Sequence, residues 1–250
     1  MPKRAPTGNQ DYPWAKFDPD AYVAHYYGEP HPDDDEVLRL TCAALAAASE
    51  GRELEIIDVG TGPNLFPLLA ALPVSERQTA WEYAPTNIAW LKRELAHGEL
   101  RPPWAHFWEV VHAAHDPIRA AIARPLAALA EKTEVLQGSI FDLPQRRWDC
   151  ATMFFCAESI TGRQEEFEGA CAAFAKAVRV GGTLAAAFLA GSRGYRVGEE
   201  DYPAVCVGPK ELERAFEGLI DQLDITLIGA REAEIRSGYS GMIFLTARVC

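Results

Sequence analysis

The residues best spaced for chemistry are Asp58, Gly60, Thr61 and Gly62, which lie at the end of one apolar run, and Glu82, which lies at the end of the next, 22 positions beyond Gly60. Glycines at 60 and 62 remove the Cβ atoms that would hold a ligand away from the loop backbone. An acid at the end of the neighbouring strand can accept two hydrogen bonds from a ribose diol. That combination is nucleoside chemistry. A dinucleotide fingerprint would need a third glycine where this chain has Leu65, so nothing lets a helix crowd against a pyrophosphate. A nucleoside without a pyrophosphate is implied, and S-adenosylmethionine fits. On that reading Asp58 orients the loop, Gly60 and Gly62 line the methionine moiety, Glu82 holds the ribose with Tyr83 beside it, and Ser139 and Ile140 flank the adenine.

The elements that must position these groups can be read from hydrophobic periodicity. Strands are expected at 54–59, 78–83, 134–137, 150–156 and 183–189, with helices at 65–72, 86–97, 163–178 and 209–220 between or after them. Such alternation implies an α/β fold, an open and mostly parallel sheet covered on both faces. Two β-branched runs at 222–228 and 241–249 suggest a closing antiparallel hairpin. Ahead of the sheet, Asp18 can cap a helix that starts at Pro19, and Asp33, Asp34, Asp35 and Glu36 open a second one with acids at its positive end. One domain spans 1–250, with a flexible tail at 1–13, a helical lid at 14–50 and a core at 51–250 that carries an insertion at about 98–132. Trp104 and Trp108 in that insertion read as core.

Composition narrows the partners. The chain has 250 residues, 48% of them hydrophobic, and 36 acids against 24 bases give a net charge of −12. A surface that acidic repels phosphate backbones and anionic membranes, so the expected partner is a small molecule, neither nucleic acid nor lipid. The cysteines at 42, 150, 156, 171, 206 and 250 form no C-x-x-C pair. Most sit in apolar surroundings that suit reduced thiols and a cytoplasmic setting. His112 and His115 share a helical face without a third ligand, so a solvated surface is expected there and no metal site. Oligomeric state is not legible.

Several blocks together resemble the nicotinamide, phenylethanolamine and thioether methyltransferase family. They are 17–27 (Phe17, Pro19, Tyr22, Tyr26 and Tyr27), 57–63 with its glycine loop, 81–87, 155–158, 180–182 and 195–198. A bacterial member is expected. The resemblance implies a Rossmann-like class I methyltransferase with a seven-stranded sheet, using S-adenosylmethionine and releasing S-adenosylhomocysteine. Its acceptor is implied to be a nitrogen of a small amine or N-heteroaromatic metabolite.

By the same resemblance, Tyr22 and Tyr27 close over the cofactor and touch its methionine carboxylate. Gly60, Thr61 and Gly62 form the cofactor loop, Glu82 binds the ribose and Asn87 adds a polar contact. Ser139 stands where the family often has an aspartate. Glu158 faces the acceptor and, with Tyr27, is the expected catalytic pair, whereas Tyr26 is expected in the core. Tyr195 lies on the substrate-side loop.

Counted back from the Tyr195–Gly198 block, the strand-end position where related amine and carboxamide enzymes place an acid is Phe188. A phenylalanine can neither pair with an ammonium nor hold an amide, so a more apolar acceptor is implied. Methylation of carbon or oxygen on an aromatic, indole-like intermediate remains open on this ground. Bland readings stand beside these: Glu158 as a helix cap, the tyrosines as packing, and the chain as a non-catalytic nucleoside-binding protein. A nicotinamide-dependent oxidoreductase ranks last because of Leu65.

Overall fold

The branched residues Ile56, Ile57 and Val59 favour an extended, buried backbone, and Leu54–Val59 forms the interior strand β1 of the computed structural model, which describes residues 8–229 and 236–250. Strands β2 (Ser75–Glu82), β3 (Thr133–Gln137), β4 (Trp148–Phe154) and β5 (Val178–Ala190) run parallel to it. A separate small hairpin is made by β6 (Tyr195–Val197) and β7 (Glu200–Tyr202). The closing hairpin of β8 (Ile220–Gly229) and β9 (Gly241–Val249) joins antiparallel through β9 to β5. The seven-stranded order is β3-β2-β1-β4-β5-β9-β8. It reverses direction of growth between β1 and β4, and ligands of open α/β sheets bind in the crevice at such a point, beyond the strands' carboxyl ends.

Helices α1 (Pro19–Tyr26), α2 (Pro32–Ser49), α3 (Phe66–Ala71), α4 (Pro85–Leu95), α5 (Pro102–Ala114) and α6 (Pro125–Lys132) contribute to one core layer. Helices α7 (Gln164–Ala177) and α8 (Pro209–Ala215) cover the opposite face. Asp18 caps α1 as its position predicts, accepting from the Ala21 N–H at 2.9 Å. Helix α8 is shorter than the expected 209–220, because the chain turns at Gly218 with φ of 72°.

Three expectations are corrected here. Residues 8–13 are no flexible tail: Asn9 is buried in a 3₁₀ turn, its N–H donating to Glu166 Oε2 at 2.8 Å. Trp14 then stacks on Tyr202 of the small hairpin, with ring centroids 5.0 Å apart; residues 1–7 of that expected tail lie outside the described ones. His115 is buried and not solvated, with Nε2 3.0 Å from the Ala70 carbonyl oxygen, whereas His112 is exposed. Phe188 is fully buried on the face of β5 that packs on α7, edge-on to Phe167. Side chains alternate along a strand, so Ala187 and Leu189 face the α1–α6 layer and Phe188 cannot.

The core expectation for the insertion holds at Trp104, whereas Trp108 is half-buried at the edge of the same cluster. Trp104 is fully buried and donates from Nε1 to Glu94 Oε1 at 2.7 Å, which Arg101 also reaches. All six cysteines are free, four of them buried. Among the described residues no helix is long and apolar enough to cross a membrane, and no three metal-ligating side chains cluster.

Candidate active site

Beyond the carboxyl ends of β1, β2 and β4 lies a cavity of about 790 Å³, counting its open mouth. Its floor is the loop after β1. Gly60 and Gly62 take φ of 68° and 61°, a left-handed conformation that side-chain-bearing residues avoid. Gly60 N–H donates to the Trp81 carbonyl at 2.8 Å, which ties the loop to β2. Asp58 stands behind it, fully enclosed: Oδ1 accepts from Thr152 Oγ1 at 2.6 Å, and the Thr61 hydroxyl donates to the Asp58 carbonyl at 3.1 Å. Burial pushes the Asp58 carboxyl up to about 6. It supports the loop without reaching the cavity.

Glu82, at the end of β2, is the loop's second anchor. Its Oε2 accepts from Gly62 N–H and its Oε1 from Ala84 N–H, both at 2.7 Å, with the Asn87 amide 3.4 Å from Oε1. Burial raises its pKa, and these donors oppose the shift. Asn87 is buried on the cavity wall, and its Oδ1 has no hydrogen-bond partner among the described residues. A buried acceptor without a donor beside a carboxylate with spare lone pairs is what a vicinal diol would satisfy. Tyr83 and Ile140 close this end of the cavity. Ser139 does not: its Oγ accepts from Phe141 N–H and its carbonyl from Trp81 Nε1, so Gly138 and Ile140 line the wall in its place.

The other end is aromatic. Tyr22 and Tyr27 of the lid and Tyr195 of the small hairpin line it, together with Phe17. The Tyr27 hydroxyl accepts from Asn64 Nδ2 at 3.0 Å, and Asn64 Oδ1 in turn accepts from Phe66 N–H, so loop and lid are joined at α3. Burial pushes the Tyr22 hydroxyl up to about 12 and raises that of Tyr27, so both stay protonated donors at neutral pH. Tyr26 packs against Tyr22 and lies off this cavity, half-buried at the edge of the core.

Glu158 and Phe188, both expected to meet an acceptor, lie outside the wall. Glu158 is fully buried behind Ser159; its Oε1 accepts from Leu189 N–H at 3.0 Å and its Oε2 has no partner among the described residues. It caps no following helix, and it touches no cavity surface from which to take a proton directly. With Phe188 on the α7 face, the argument for an apolar acceptor loses its carrier.

Burial pushes the Glu158 carboxyl from an ordinary 4.5 up to about 7. Between those values the unfolded chain has lost a proton that the folded chain keeps, so the folded state loses stability as pH rises towards 7 and no more above it. Glu158→Gln removes that penalty. Its melting temperature relative to wild type is expected to be higher at pH 8 than at pH 5, by on the order of 3 kcal/mol in stability. The same difference at both pH values in thermal denaturation would contradict a buried, neutralised acid.

Asn64 and Arg236 are among the cavity-lining groups that sequence reasoning misses. Asn64 follows directly on the Gly62-Pro63 loop, where its position was a usable signal. Arg236, between β8 and β9, reaches the wall from a stretch that carried no motif.

The comparisons with known proteins bear on this geometry. The sequence profile of the NNMT/PNMT/TEMT family matches residues 6–249. Nicotinamide N-methyltransferase of Sus scrofa is 24% identical over 215 residues, covering 80% of each chain. Indolethylamine N-methyltransferase of Mus musculus is 23% identical over 266 residues, covering 96% of each. The fold is shared with a solved S-adenosylmethionine-dependent methyltransferase from Clostridium acetobutylicum, at a TM-score of 0.55 and 9% identity, over 92% of this chain and 96% of that one.

Proposed function

The chain belongs to the NNMT/PNMT/TEMT family of S-adenosylmethionine-dependent methyltransferases, and from that premise we infer that it methylates a nitrogen of a small-molecule acceptor in the cavity between lid and glycine loop. The observation that carries this reading is Glu82. Its carboxylate bridges the loop at Gly62 to the start of α4 and stands beside the donorless Asn87 Oδ1, in one cavity with Tyr22 and Tyr27. That donor and acceptor set fits a nucleoside with an amino-acid tail. Glu82 and Asn87 take the ribose hydroxyls, Tyr83 and Ile140 flank the base, and the protonated Tyr22 and Tyr27 hydroxyls donate to the methionine carboxylate.

When bound, the sulfonium supplies an electrophilic methyl group, and transfer is a direct displacement at carbon. Alignment therefore dominates the rate, and the chain's task is to hold an uncharged lone pair in line. Tyr22, Tyr195 and Phe17 give a planar acceptor flat apolar walls that exclude water. Tyr27 is fixed by Asn64 and keeps its own proton, so its role is orientation and not proton removal. Glu158, outside the wall, steadies the turn that carries Ser159 through the bond it accepts from Leu189 N–H. The acceptor nitrogen must arrive neutral or lose its proton to water.

Titration calorimetry with S-adenosylhomocysteine tests the reading. Wild type is expected to bind one equivalent with micromolar affinity, and a panel of aromatic and heteroaromatic amines to include compounds that gain a methyl group by mass spectrometry. No binding of S-adenosylhomocysteine overturns the reading. Binding with no turnover on any amine would favour a nucleoside-binding protein.

A further inference from the structure

Arg236 brings a cation to the acceptor end of the cavity. The residue is 5% exposed, and its guanidinium donates from Nε to the Tyr26 hydroxyl at 3.1 Å and from Nη1 to Ser159 Oγ at 2.9 Å. Its carbon lies 4.0 Å from the Tyr195 ring centroid and 5.1 Å from that of Tyr26. Ser159 and Tyr195 both line the cavity, as does Arg236 itself. Among the described residues no carboxylate comes within ion-pair distance of it.

A charge buried this far demands compensation, because desolvating it without a partner is expensive. The acids that face it do not supply that in full. Glu158 lies behind Ser159 with a pKa raised to about 7 by burial, and Asp34, which borders the adjoining hollow with Arg236, is pushed by burial up to about 8. The rings of Tyr26 and Tyr195 hold the guanidinium by its face without cancelling its charge. A planar fork of donors, held rigidly between two rings, is the geometry that recognises a carboxylate.

Resting on the methyltransferase reading above, we propose that Arg236 forms an anion subsite that selects methyl acceptors carrying a carboxylate. The acceptor is then an aromatic or heteroaromatic amino acid-like or acid-bearing amine, with its ring between Tyr22 and Tyr195 and its carboxylate on the guanidinium. A cationic alkylammonium is disfavoured in the same place by like charge. The other carboxylate available in this cavity is that of the cofactor's methionine, and the experiment separates the two.

S-adenosylhomocysteine-saturated wild type and Arg236→Met are titrated with three acids, benzoate, anthranilate and indole-3-acetate, and with the three corresponding amides. At least one acid is expected to bind wild type tenfold or more tighter than its amide. Arg236→Met is expected to abolish that preference while changing the S-adenosylhomocysteine affinity less than threefold, and Arg236→Lys to restore part of it. Equal binding of every acid and its amide, or no binding of any acid at millimolar concentration, overturns the proposal. So does a loss of S-adenosylhomocysteine affinity in Arg236→Met that matches the loss for the acids, which would assign the guanidinium to the cofactor. Failure of wild type to bind S-adenosylhomocysteine at all would instead overturn the methyltransferase site itself.

Discussion

Glu82→Ala is expected to weaken S-adenosylhomocysteine binding by roughly 100- to 1,000-fold, or about 3–4 kcal/mol. Two losses combine. Hydrogen bonds from ribose hydroxyls to an ionised acceptor contribute about 1.5–3 kcal/mol each when the site is dry. In the free protein, the same carboxylate holds the Gly62 and Ala84 N–H groups at 2.7 Å. Truncation orphans both, so the loop that carries the glycines is loosened before any ligand arrives. Glu82→Gln separates these contributions: it keeps one acceptor but turns an NH2 towards a backbone N–H, and is expected to fall between wild type and alanine. pH offers an independent check. Burial raises the Glu82 pKa, and the ligand needs the ionised form, so affinity is expected to drop on acidification at a pH above the ordinary carboxylate range. Calorimetry across pH reads all of this. Unchanged affinity in Glu82→Ala would remove Glu82 from the site.

Which parts of this site could be read from the sequence depended on whether the determinant was local. Strand β1 is legible because a buried interior strand is a short run of branched residues ended by glycine, and the structure starts and ends it at Leu54 and Val59. The Asp18 cap and the Gly60–Glu82 spacing are equally local. Phe188 failed for a different reason. Counting from a neighbouring motif fixes position along a strand only to within a residue, and one residue on a strand exchanges the two faces of the sheet. Ser139 failed similarly, since its turn presents Gly138 and Ile140 to the cavity. His115 and Asn9 are buried by partners 45 and 157 residues away, Ala70 and Glu166, which no window of sequence contains. Arg236 belongs with them. Its meaning comes from Tyr26 and Tyr195, supplied by the lid and the small hairpin.

Gly60→Ala is expected to cost both fold and ligand, and Gly62→Ala far less of the first. A Cβ at Gly60 would overlap Cys156 Sγ and lie 2.8 Å from Cys156 Cβ, on a backbone with φ of 68°. The left-handed backbone alone costs about 1–2 kcal/mol. The overlap must be relieved by moving the loop off β4, because Cys156 is itself 8% exposed and packed among Ala157, Cys171 and Ile57. Moving the loop breaks the Gly60 N–H bond to Trp81. Together these are expected to lower the melting temperature by roughly 10 °C, at about 2–4 °C per kcal/mol for a domain of this size. S-adenosylhomocysteine binding should become undetectable. At Gly62, with φ of 61°, a Cβ meets nothing nearer than the Gly60 carbonyl oxygen at 3.8 Å. Only the backbone penalty remains there, so Gly62→Ala is expected to stay folded within about 2 kcal/mol of wild type. Any larger loss of affinity in that variant then measures how closely the ligand approaches the loop. Gly60→Ala/Cys156→Gly supplies the control, recovering part of the stability by removing the sulfur while retaining the backbone strain. Wild-type stability and affinity in Gly60→Ala would show that the loop after β1 is not the tight cradle on which the cofactor site depends.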